Sequence, residues 1–103
     1  MRKLAQVLLI TLLLSSLVFA HGDMEHVLGT VVAITDHSIS VKTSDGSVKV
    51  VALDAETHFL QGDTPATLKN VVVGIRVVIL AHKRGDMLHA AEVKVATGTP
   101  VNH

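Results

Sequence analysis

Two histidine-bearing segments hold the residue types in this chain that could do chemistry. His21-Gly22-Asp23-Met24-Glu25-His26 places two imidazoles, a thioether and two carboxylates in six consecutive residues. Imidazole with thioether suits copper, and imidazole with carboxylate suits zinc. Gly22 would let the segment fold back on an ion. If the chain is cut after Ala20, His21 becomes N-terminal, and its α-amine and ring can chelate one ion together. The plain alternative is a polar leader that keeps the start of the mature chain soluble.

The second segment is His82 to His89. A two-residue II′ turn at Gly85-Asp86 sets His82 opposite His89 across a hairpin, with Cβ atoms about 5 Å apart, close enough to share an ion. A three-residue loop would pair His82 with Leu88 instead, and two solvated imidazoles on an outer face are the competing reading. The candidate metal ligands are therefore His21, Met24, His26, His82 and His89, for copper or zinc. His37, His58 and His103 each stand alone and read as ordinary surface or loop residues.

These residues need strands to position them, and the chain supplies five candidates. Val27 to Thr35 is rich in Val and Ile around Gly29. In Ser38 to Thr43, Ile39, Val41 and Thr43 alternate against Ser38, Ser40 and Lys42. Asp45-Gly46 reads as a two-residue hairpin turn into Val48 to Leu53, with Val48, Val50 and Ala52 expected inside. Ile75 to His82 and Met87 to Ala96 complete the set. The last strand breaks period two, because Leu88 and Ala90 have the opposite parity to Val93 and Val95. One extra residue near Ala91-Glu92, a β-bulge, returns all four to one face. Between the third and fourth strands, Thr64 to Asn70 reads as one short helical turn with Thr64 as N-cap and Pro65 at N1.

The expected fold class is all-β: a small five-stranded OB-like barrel over residues 27–96, with one helical turn between strands three and four. Spacing alone leaves an SH3-like barrel open. Phe59 is a candidate plug for one end. Residues 97–103, with Gly98 and Pro100, read as a flexible tail.

The start of the chain reads as an export signal. Met1-Arg2-Lys3 is positive, Leu4 to Phe19 is almost wholly apolar, and Val18-Phe19-Ala20 suits a cleavage site. The apolar run of about 16 residues falls short of the ~20 that span a bilayer comfortably. A signal peptide over residues 1–20, a His-rich leader over 21–26 and a periplasmic or secreted location follow, with no stable membrane insertion after cleavage.

Composition narrows the functional classes. The chain has 103 residues, nine basic against nine acidic side chains, and no cysteine. Loss of Arg2 and Lys3 with the signal leaves an acidic balance, and Phe59 is then the only Phe, Tyr or Trp. Nucleic-acid binding on such a barrel uses a basic groove and stacking aromatics, so it is not expected. Nor is catalysis. No Gly-x-Ser-x-Gly elbow or Gly-rich phosphate loop occurs, and Asp54 and Glu56 read as loop-solvating charges.

Gly29-Thr30-Val31-Val32-Ala33-Ile34, Ser38-Ile39-Ser40-Val41, Asp45-Gly46, Thr57, Leu68, Val73-Gly74-Ile75-Arg76-Val77 and Leu88-His89-Ala90 together carry a resemblance. From about Val27 to Val95 the chain resembles the bacterial exported β-barrel family known as domain of unknown function 5666. The resemblance implies an OB-like fold and export. That family has no established chemistry, so it carries over no catalytic residues. A weaker similarity is to periplasmic copper- and silver-binding OB barrels that accompany efflux pumps. Those use Met and His beside a Trp, and this chain has no Trp and no Met-x-Met pair. The expected role is a small exported binding module, not an enzyme, whose ligand is a transition metal ion. The alternative is a metal-independent domain that binds an envelope protein through outward-facing Val78, Leu80 and Ala91.

Overall fold

The first strand, β1 (Met24–Ile34), organises the molecule because it serves two neighbours in turn. Its first half pairs antiparallel with β6 (Arg76–Arg84), from Met24↔His82 to Thr30↔Arg76. Its second half pairs antiparallel with β2 (Ser38–Lys42), from Thr30↔Lys42 to Ile34↔Ile39, with Val32 bulged out of the ladder. The changeover falls beside Gly29. A Cβ there would fall inside contact distance of the Lys42 carbonyl oxygen and within 2.8 Å of Val41 Cγ1. Glycine is what allows the two backbones to approach. The computed structural model describes residues 24–98. The signal-peptide reading, His21 and residues 99–103 lie outside them. Because β1 already begins at Met24, residues 24–26 are strand, not the loose leader expected over 21–26.

Over the described residues the chain is all-β, with seven strands in one sheet rather than a clean five-stranded barrel. Strands β3 (Val48–Ala52) and β7 (Met87–Val95) flank the β2–β1–β6 centre, so the sheet runs β3-β2-β1-β6-β7. It then curls until β3 touches β7 in parallel, through Val51↔Leu88 and Ala52↔His89. The two strands not foreseen are β4 (His58–Gln61) and β5 (Thr64–Ala66), a hairpin that extends the sheet beyond β7. β4 runs parallel to β7, with Phe59 opposite Val93. Four residues paired with a strand 34 positions later leave no local periodicity to read.

The helical turn is correspondingly shorter and later than expected. A 3₁₀ turn covers Leu68–Asn70 and is capped by Thr67, not Thr64. The Thr67 hydroxyl accepts from Lys69 N (3.3 Å), and Asn70 Oδ1 accepts from Thr67 N (3.0 Å). Pro65 sits in β5 at the sheet edge, where its missing N–H costs no ladder bond.

The inner face is aliphatic. Val27, Val31, Ile39, Val41, Val51, Val77, Ile79 and Val93 are among the buried residues, and no polar side chain among the described residues is buried with them. Phe59 packs against this core from its margin with Leu53 and Leu68. β3 corrects the sequence reading. Val48 and Val50 are 55% and 53% exposed, and Val51 is buried. The register decides this: Ile39 faces Val51 and Val41 faces Lys49, and directly opposite residues share a face. Valines on both parities hid the answer in the sequence. Lys49 ends the inner series at the rim, where its ammonium donates to Glu25 Oε2 at 2.9 Å.

The expected bulge in the last strand is present. Leu80 pairs with Glu92 and Ala81 with Ala90, so Ala91 is the extra residue. Ala90, Val93 and Val95 are buried and Leu88 packs against the core. The β2–β3 turn, by contrast, has three residues rather than two. Thr43 N donates to Ser47 O (2.9 Å), Gly46 N donates to Thr43 O (3.0 Å), and Gly46 takes φ 87°. This is a type I turn closed by a left-handed glycine.

Candidate functional site

The β6–β7 hairpin turns on Gly85-Asp86, with Arg84 opposite Met87 and Gly85 at φ 61°. Only the first turn residue has positive φ, as a II′ turn requires. His82 therefore faces His89 directly. The β1–β6 register adds that Met24 faces His82 from the other side. Met24, His82 and His89 thus form one row across three adjacent strands. Ala81 and Ala90, the neighbours of the two histidines, are buried, so the row lies on the outer face. Met24 is 39% exposed, and His82 and His89 are half-buried.

His26 lies one row along on the same face, opposite Leu80, which in turn faces Glu92. His58, read from the sequence as an isolated loop residue, is in β4 opposite Glu92. It lines a cavity of about 410 Å³ with His82, Asp54, Glu56 and Arg84. Only the parallel β4–β7 pairing brings it there, and no local pattern announces that pairing. Asp54 is engaged in its own turn, accepting from Glu56 N at 2.8 Å.

Strand geometry divides the segment that the sequence presents as one cluster. Met24 and His26 point outward. Glu25, of opposite parity, turns to the inner rim and meets Lys49. The hydrogen bond from Lys49 and its charge hold the Glu25 carboxyl below its ordinary value, with Lys83 adding to the effect. Lys49 is correspondingly raised, by the hydrogen bond to Glu25 first and its charge second. Glu25 is thus not a companion ligand for Met24 and His26. Among the described residues no three His, Cys, Asp or Glu converge on a point that could hold a metal ion. The side chain that completes the row with His82 and His89 is the Met24 thioether.

Nδ1 of His89 is buried and has no hydrogen-bond partner among the described residues. A buried nitrogen without a partner is costly, and a ligand is one of the things that can satisfy it. His37 plays a structural part: its carbonyl accepts from Leu53 N (2.8 Å) and its N–H donates to Thr35 Oγ1 (3.1 Å). No known family, no curated protein and no solved structure matches this chain.

Proposed function

We propose that this chain is an exported binding module, not an enzyme, and that it holds a soft transition metal at Met24, His82 and His89. Copper as Cu(I) is the first choice and zinc the second. His26 and the N-terminal His21 of the processed chain are the further donors. The observation that carries this reading is the cross-strand row Met24–His82–His89. Two imidazoles and a thioether suit Cu(I), and with Glu25 turned away the donor set has lost the carboxylate that favoured zinc. The unpartnered Nδ1 of His89 adds support.

An OB-like barrel is supported by the circuit β1-β2-β3-β7-β6, in which β3 meets β7 in parallel and β6 returns to β1. The β4–β5 hairpin is an addition to it. Export to the periplasm or beyond is supported by the three-part pattern of residues 1–20.

The test is a titration of the protein, purified as its host processes it, with Cu(I) under reducing conditions and with Zn(II) alongside. Saturable one-to-one Cu(I) binding is expected. It is abolished when His82→Ala and His89→Ala are combined, and weakened about tenfold or more by Met24→Leu. Parent-like binding by the double variant overturns the site. A residue added ahead of His21 reports separately on that donor.

The second reading is a metal-independent interaction domain of the cell envelope. Val78 is exposed on the outer face, and Leu80 and Ala91 are half-buried outside the core.

A further inference from the structure

The outer face carries a second feature, away from the histidine row. Thr30 of β1 lies between Lys42 of β2 and Arg76 of β6, giving the row Lys42–Thr30–Arg76. The adjacent row is Leu28–Val78–Lys94 across β1, β6 and β7. Two surface troughs, of about 410 and 370 Å³, follow these rows and share Leu28, Gly29 and Arg76 in their walls. They adjoin at these residues and between them span four strands.

The chemistry of this joint trough is one-sided. It is lined by Lys42, Arg76 and Lys94, three of the seven Lys and Arg residues that follow Lys3. No carboxylate lines it, although acidic residues outnumber basic ones beyond Lys3. Among the described residues neither Lys42 nor Arg76 makes an ion pair, and Lys94 meets Glu92 only at 4.0 Å. Thr30 separates Lys42 from Arg76, and beside Arg76 toward Lys94 the surface is apolar: Leu28 is 57% exposed and Val78 sits next to it.

We infer that this trough binds an acidic, extended peptide segment of another protein, with two acidic side chains flanking an apolar one. The spacing sets that pattern. Lys42 and Lys94 stand on strands three steps apart and in adjacent rows, two residues apart along the strands, roughly 16 Å at ~4.8 Å per step and ~3.3 Å per residue, a gap that their long side chains shorten. An extended chain rises ~3.3 Å per residue, so its positions i and i+4 are about 13 Å apart on one face, with i+2 between them. Acidic groups at i and i+4 reach the two cationic ends, and an apolar residue at i+2 covers Leu28 and Val78. A single-headed lipid anion would satisfy one end only. A flat bilayer would not enter a concave trough. The inference gives the interaction reading a surface and a ligand, and its residues are separate from the metal row.

The probe is a fluorescein-labelled peptide of sequence Gly-Glu-Thr-Val-Thr-Glu-Gly, titrated into the protein as its host processes it and followed by anisotropy. Saturable binding that weakens with added salt is expected, with little binding when both Glu are replaced by Lys. Arg76→Glu should weaken it about tenfold, losing one attraction and gaining one repulsion. Leu28→Ser, at an exposed position, tests the apolar centre and serves if Arg76→Glu does not fold. Lys69→Glu, on the 3₁₀ turn outside the trough, should leave binding unchanged. The inference is overturned if the peptide does not bind, if binding is indifferent to Arg76→Glu and Leu28→Ser, or if phosphatidylglycerol vesicles bind where the peptide does not. Retained Cu(I) binding by Arg76→Glu separates a failure here from a failure of the metal site.

Discussion

Asp45 shows how much a single side chain settles in the β2–β3 turn. Its carboxylate accepts from the Thr43 hydroxyl, from Ser47 Oγ at 2.7 Å and from Ser47 N at 3.1 Å. These bonds, that from Thr43 foremost, lower its pKa from 3.8 to about 2. A carboxyl depressed in the folded state stabilises the fold above its unfolded pKa and loses that contribution as pH falls through the folded one. Asp45→Ala should therefore lower Tm at pH 6, and the gap to the parent should close as pH falls from about 4 to about 2. Thermal melts across that range decide it. A gap that stays constant down to pH 2 would mean that the charge on Asp45 contributes nothing to the fold. The turn position was legible from Asp45-Gly46. Its length was not, because two- and three-residue loops use the same residues, and the choice depends on which strand residues pair on either side.

At the scale of elements, β1 is the strand under the tightest constraint. Gly29 stands where it passes from one partner to the other, pressed against the backbone of Lys42. Gly29→Ala should cost roughly 2–4 kcal/mol or prevent folding, because the obstacle is backbone that cannot swing aside. Gly98→Ala, with nothing within 4 Å of the added carbon, should be close to neutral. Urea denaturation of the two variants makes the comparison, and equal midpoints would refute the close-approach argument. The bulge at Ala91 was legible because the apolar residues on either side of it differ in parity, a signal contained in one strand. The inner face of β3 was not. Val48, Val50 and Val51 offer valines to both faces, and only pairing with β2 chooses between them.

At the scale of the molecule, the β1–β6–β7 sheet joins two segments that lie more than fifty residues apart in the chain. Met24 and His89 both flank His82, one from each side. If they share one ion, their contributions to Cu(I) affinity must be coupled. In a cycle of Met24→Leu, His89→Ala and the double variant, the double should lose clearly less than the two single losses combined. Additive losses would assign the two residues to separate sites. The curl that brings β3 onto β7 belongs to this scale as well, since it rests on two residue pairs between strands remote in sequence.

What the sequence determined by itself was whatever depends on near neighbours. The five principal strands, a hairpin turn at Gly85-Asp86 and a bulge near Ala91-Glu92 all follow from alternation and turn chemistry within about ten residues, while the two-residue turn that sets His82 opposite His89 was one of two registers the residues allowed. Tertiary structure alone decided the rest. It made β4–β5 a hairpin on β7 and set His58 opposite Glu92. It drew Met24–His26 into a strand paired with β6, so that Glu25 faces away from its neighbours, and it gathered Lys42, Arg76 and Lys94 along one trough. Each of these depends on register between strands distant in the chain. Such register is chosen by the joint burial of a core to which every strand contributes, and no single segment records it.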